Sequence, residues 1–154
     1  LVWSGSPTHK NDANRSVPLK KLLSYLPEGM DYIALQKEVR DTDIEDLRAS
    51  SIRSFVPDIH DFQDTAAICH QLDLVIAVDT SVAHLSASLN CPTWIILPLV
   101  PDWRWFLNRE DSPWYSSVRL FRQEHAGDWN QALQYVRISL LQHFNYTGSN
   151  SGSM

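Results

Sequence analysis

The sequence predicts an α/β domain, a three-layer α/β/α Rossmann-like arrangement with a parallel sheet between helices. Three observations carry this expectation. Apolar runs at residues 1–4, 32–36, 52–56, 74–78, 93–97 and 118–121 alternate with segments of helical character. The runs at 74–78 and 93–97 are continuous and rich in β-branched residues, as in strands covered on both faces. Between them, Asp79, Thr80 and Ser81 suit a helix start, while Asn90 and Pro92 suit its end. That is a βαβ unit, which crosses over right-handed in a parallel sheet.

The remaining elements follow in chain order. Residues 1–4 read as a short apolar strand already under way, with no initiator methionine, so the chain reads as a piece of a longer protein. A polar loop covers 5–16 and lacks the glycine–lysine–serine spacing of a P-loop. Pro18 opens a helix with Leu19, Leu22, Leu23 and Leu26 on one face. After the second strand, Thr42 and Glu45 fit a capping box for a short helix through Ala49. The third strand is weaker, because it carries Arg53 and Ser54. Asp64 is expected to cap the helix leading to the central strand, and Asp128 the last helix. That last helix places Trp129, Leu133, Val136, Leu140 and Phe144 on its core face. The domain is expected to span 1–146, with a polar tail at 147–154.

Composition narrows the function classes. A 154-residue chain with 44% hydrophobic and 20% charged residues belongs to the globular class. Its net charge of −5 argues against a general nucleic-acid binder. No apolar run reaches membrane-spanning length. Cys69 and Cys91 both fall in apolar helical contexts and read as reduced packing residues, which suits a cytoplasmic setting. No cluster with metal-ligand spacing is present.

A strand order of 3-2-1-4-5-6 puts the switch point between the first and fourth strands. The loop at 5–16 and the turn at 79–84 then meet in one crevice. Lys10 and Arg15 on the first, and Thr80, Ser81 and His84 on the second, suit a phosphate or sugar oxygen. The plainer alternative is a capped helix with a satisfied histidine beside a solvated loop. Residues 98–115 form a long aromatic loop. Trp103 and Arg104 there are candidate contacts, while most of the aromatics are expected to pack.

Asp79-Thr-Ser-Val-Ala-His84-Leu resembles the Asp-Thr/Ser-Gly-x-x-His-Leu signature of the heptosyltransferases, glycosyltransferase family 9. Residues 3–12 are similar to the Trp-Ser/Ala-Gly-x-Pro-x-His-Lys-Asn-Asp stretch of bacterial glycosyltransferase-like proteins that carry tetratricopeptide repeats. Residues 101–105, 109–115, 121–123 and 127–129 match further motifs of that group in order. Ser81 stands where the heptosyltransferases have glycine. The resemblance implies one half of a GT-B fold, the half that binds a nucleoside-diphosphate sugar. It implies Lys10, Thr80, Ser81 and His84 on the diphosphate, and Gln36 and Lys37 near the ribose or base. Asp79 is a candidate base that fits helix capping better. The acceptor-activating base is expected in an N-terminal GT-B or tetratricopeptide domain of the same protein. No metal and no cofactor are implied, since basic groups and a helix dipole would hold the leaving diphosphate. A nucleotide-sugar epimerase and a non-catalytic interaction domain are the alternative readings.

Overall fold

The computed structural model describes residues 1–149, with side chains through 145. Five strands form two parallel sheets. β1 (Ile33–Ala34) pairs with β2 (Arg53–Ser54), and β4 (Thr93–Leu97) lies between β3 (Val75–Val78) and β5 (Val118–Arg122). Register sets Val75 opposite Thr93 and Thr93 opposite Val118. Six helices alternate with them: α1 (Asp12–Arg15), α2 (Leu19–Leu23), α3 (Asp41–Ala49), α4 (Phe62–Cys69), α5 (Ser81–Ser88) and α6 (Asn130–Ser149).

The expected first strand is an extended segment with a single parallel bridge, Val2 to Ala77. Its backbone bonds in both directions. Val2 N–H donates to the Ile76 carbonyl and Val78 N–H to the Val2 carbonyl, each at 2.9 Å. On the other side, the Leu1 nitrogen donates to Ile33 and Leu35 N–H donates to Leu1. Residues 1–2 therefore hydrogen-bond to members of both sheets.

Alternation along the central strands divides the core in two. Ile76, Val78, Trp94 and Ile96 join a cluster with Leu19 and Leu22 of α2 and Leu133, Val136 and Leu140 of α6. Val75, Ala77, Ile95 and Leu97 join another with Cys69 of α4 and Ala83 and Ala87 of α5. A period of two with both sets buried is what a sheet covered on both faces requires. Ala83 and Ala87 bring α5 close enough for Ser86 Oγ and Thr93 Oγ1 to bond at 2.7 Å in the interior. Both cysteines are free and buried. Among the described residues, no helix is long and apolar enough to cross a membrane.

Several expected caps shift. α3 starts at Asp41 behind Arg40 and has no side-chain cap, so Thr42 and Glu45 form no capping box. Its acidic first turn meets the helix dipole instead. α4 is capped by Asp61, whose carboxylate accepts from Gln63 and Asp64, while Asp64 supplies the reciprocal half of the box. The box begins three residues earlier than expected because Phe62 and Gln63 are already helical. Part of the loop at 5–16 is helical, as α1. Asp128 does bond the start of α6, accepting from Asn130 N–H at 2.9 Å. Asn90 does end α5 in the left-handed region, with φ 58°. α6 runs through residues 147–149 of the expected tail, and 150–154 lie outside the described residues.

Asp43, 5% exposed, ties the first segment to α3. Its carboxylate accepts from the Trp3 indole N–H at 3.0 Å and from Leu19 N–H at 3.4 Å. Asp43→Ala leaves the buried indole N–H unsatisfied and should cost about 1–3 kcal/mol. Arg48→Ala, which breaks only the exposed pair with Glu45, should stay within about 0.5 kcal/mol. Urea unfolding of both variants checks the contrast.

Candidate functional site

α5 begins where β3 ends, so its first N–H groups point out of the carboxyl edge of the sheet. Thr80 occupies the cap position in extended geometry but makes no capping bond, and its hydroxyl donates to the Val78 carbonyl at 3.2 Å. Ser81 is exposed. The helix start is thus left without a side-chain cap on the side facing the loop at 5–16.

That loop is held by charge. Asp12, 6% exposed, pairs with Arg40 and accepts from Ser16 Oγ at 2.8 Å. Ser16 Oγ in turn accepts from Gly5 N–H at 3.0 Å and from Arg40 at 3.1 Å. The network aims Arg15 across the gap, where its guanidinium donates to the Asp79 carbonyl at 2.9 Å. Gly5 is needed for that path. A Cβ there would lie 2.6 Å from Arg15 Nε and 2.7 Å from Cζ, closer than side chains tolerate.

Inside the turn, Asp79 Oδ1 lies 3.4 Å from His84 Nε2, and His84 Nδ1 lies 3.1 Å from the Tyr115 hydroxyl. His84 also stacks on buried Trp105, centroids 5.0 Å apart. Two residues of the long loop therefore grip the histidine. Burial pushes the Asp79 carboxyl up, but hydrogen bonding from His84 and Trp105 and the charges of His84 and Arg15 outweigh it, and the net shift is downward. The Trp105 indole N–H reaches no partner at ordinary hydrogen-bond geometry, so its contribution is the weaker of the two.

Arg15, Asp79, Thr80, Ser81, His84 and Arg104 line one cleft of about 410 Å³. Arg104 is oriented by Asp102, which accepts from its backbone N–H at 3.1 Å and its guanidinium at 2.9 Å. The other candidates fall outside the lining. Lys10 is exposed between His9 and Asn11, which do line the cleft. Gln36 is buried, with its amide bonded to Trp3 N–H, Ser4 N–H, the Ser4 carbonyl and the Glu38 carbonyl. Lys37 reaches the His60 carbonyl at 3.3 Å. Trp103 is 69% exposed, with the Arg104 guanidinium 5.2 Å from its ring centroid.

Sequence reasoning missed His9, Asn11 and Asp102 in the lining, and Asp12, Ser16 and Arg40 behind it. Asp102 carried a local signal, as the acidic residue before a short 3₁₀ turn, and His9, Asn11 and Asp12 lie within the motif stretch at 3–12. A larger groove of about 660 Å³ runs along β5, and a pocket of about 250 Å³ opens at the amino ends of the strands. The cleft of about 410 Å³ at the carboxyl ends is the stronger candidate, because parallel sheets present helix N-termini and loops to ligands there. Among the described residues, no three or more His, Cys, Asp or Glu side chains are grouped to hold a metal ion.

The chain is 32% identical over 80 residues to the protein FlbA of Caulobacter vibrioides. The matched stretch is 52% of this chain and 13% of FlbA. No protein-family model and no solved structure matches the chain.

The depressed Asp79 pKa gives stability a defined acid limb. The contribution is fully present above the unfolded carboxyl pKa, about 3.9, and is lost as pH falls through the lower folded value. Asp79→Asn should be less stable than the parent at pH 7 and should lose less stability on acidification. Denaturant midpoints measured from pH 7 to pH 2 check this, and parallel curves would contradict it.

Proposed function

We propose that this chain is the donor-binding domain of a metal-independent glycosyltransferase, which moves a sugar from a nucleoside-diphosphate sugar to an acceptor. The observation that carries the reading is the convergence of Arg15, Arg104 and the uncapped start of α5 on one cleft. Two guanidinium groups and a set of outward N–H groups suit the charge of a diphosphate. The same groups would stabilise that charge as it grows on the departing nucleoside diphosphate. Thr80 and Ser81 offer hydroxyls to the phosphate oxygens, and Lys10 reaches the ligand from the exposed rim on its flexible stem.

His84 acts through its partners. With Nε2 facing the Asp79 carboxylate and Nδ1 facing the Tyr115 hydroxyl, it fixes the turn on which Thr80 and Ser81 sit. Gln36, with its amide already bonded to backbone, supports the strand ends that carry the cleft, and Lys37 is the nearer candidate for the ribose or base. The acceptor-activating base belongs to the N-terminal half of a GT-B pair, in a longer protein with tetratricopeptide repeats. In that architecture the two sheets and residues 1–4 form one sheet of order 3-2-1-4-5-6 between two helical layers. The backbone bonds from residues 1–2 to both sheets support that order. The free, buried cysteines support a reducing, cytoplasmic setting.

Calorimetric titration with UDP, GDP, ADP and CDP tests the reading. One nucleotide should bind, and Arg104→Ala should weaken it about tenfold, equivalent to ~1.4 kcal/mol. Lys10→Ala should weaken it less, because the lysine approaches from solvent. Unchanged affinity in both variants would remove the diphosphate from this cleft and favour a non-catalytic interaction domain.

A further inference from the structure

We propose that a second cleft, built around Gln123, is the subsite for the sugar of the donor. The proposal rests on the donor reading above and adds a site to it. The cleft measures about 270 Å³ and adjoins the phosphate cleft, sharing Asn11, Pro98 and Val100 with it. Three segments meet there: the loop at 5–16 after the extended segment, the residues after β4 and the turn after β5.

Gln123 is 4% exposed, and its Nε2 is buried with no hydrogen-bond partner. Everything else about the residue is fixed. Its backbone N–H donates to the Leu97 carbonyl at 3.0 Å, and its Oε1 accepts from Leu99 N–H at 3.0 Å. The side chain is therefore locked with its amide donors committed to nothing in the protein. A buried unsatisfied donor is costly and rare in native structures, so one that lines a cleft points to a ligand acceptor. Leu99 and Val100, 42% and 77% exposed, form the outer lip of the cleft that Gln123 lines.

The chemistry of the lining selects the ligand class. The phosphate cleft carries Arg15, Asp79, Asp102 and Arg104, whereas no charged side chain lines the Gln123 cleft. Its polar groups are the amides of Asn11, Asn14 and Gln123. Asn14 Nδ2 donates to Asn11 Oδ1 at 2.7 Å, which leaves Asn14 Oδ1 and Asn11 Nδ2 without a protein partner among the described residues. Amides that both donate and accept, with no net charge, match a neutral polyhydroxylated ring rather than a second phosphate. Adjacency to the diphosphate cleft is what a sugar bonded to that diphosphate requires.

The test compares nucleoside diphosphates with their hexose conjugates. UDP, GDP, ADP and CDP are titrated beside UDP-glucose, GDP-mannose, ADP-glucose and CDP-glucose, into the parent chain and two variants. Gln123→Met removes the amide, while Gln123→Glu keeps an acceptor for Leu99 N–H and removes the donor. The parent should bind one conjugate about fivefold or more tighter than its diphosphate, about 1 kcal/mol. Both variants should lose that preference while holding the bare diphosphate as the parent does.

A preference that survives in both variants overturns the subsite, as does a parent with no preference for any conjugate. Loss of bare diphosphate binding in both variants also overturns it, because Gln123 would then act through the fold. Failure of every nucleotide to bind the parent overturns the donor reading itself, a result distinct from the others.

Discussion

The backbone of residues 1–4 is where the separate parts of this molecule are joined. Leu1 and Val2 hydrogen-bond outward to β1 on one side and to β3 on the other. One residue further, Trp3 N–H and Ser4 N–H both donate to Gln36 Oε1, and the Trp3 carbonyl accepts from Val17. The Trp3 indole reaches Asp43 on α3. A buried extended segment cannot leave these groups unpaired without a cost of about 1–3 kcal/mol for each. Its partners are therefore as constrained as it is, and they include the start of the loop that carries Arg15. The position of the cleft follows from this constraint.

The cleft combines rigid and open parts. Arg40, Asp12 and Ser16 hold the first loop from behind, and Tyr115 and Trp105 hold His84 from the side. The groups facing the gap are left with few obligations: the Thr80 cap position has no capping bond, Ser81 is exposed, and Arg104 is held by Asp102 and the Trp103 ring, both exposed by a third or more. Preorganised walls with unengaged polar faces lower the ordering cost of binding an anion. The long loop, read from sequence as mostly packing, divides accordingly. Trp105 is fully buried against α5, whereas Trp103 and Trp114 are 69% and 56% exposed.

Much of the fold was legible because burial on two faces leaves a strong local pattern. The runs at 74–78 and 93–97 correspond to β3 and β4 within a residue, since both faces there are buried and the one polar side chain, Thr93, is satisfied by Ser86 and the Cys91 carbonyl. The outer strands were harder. β1 and β2 hold only two residues each, and the burial of β2 is slight. Caps were shifted because several acidic residues compete at each helix start, and tertiary partners such as the Trp3 indole claim one of them. In the cleft, Arg15, Thr80, Ser81 and His84 were found from strand ends and cap chemistry. Gln36 was placed by its position after a strand, but its amide serves the neighbouring backbone, which spacing alone does not reveal. Gln123 falls within the motif matched at 121–123, but its role was not legible, because an orphaned amide exists only once three distant loops have met.

The measurement that bears most directly on the central claim is an amide-resolved NMR titration with inorganic pyrophosphate, which carries the shared diphosphate chemistry without a base or sugar. The account predicts that the largest shifts fall on the backbone amides of Thr80, Ser81, Val82 and Ala83 and on the Arg15 and Arg104 side chains. Shifts concentrated instead on Tyr32, Ile33 and Leu74, at the opposite ends of the strands, would contradict it.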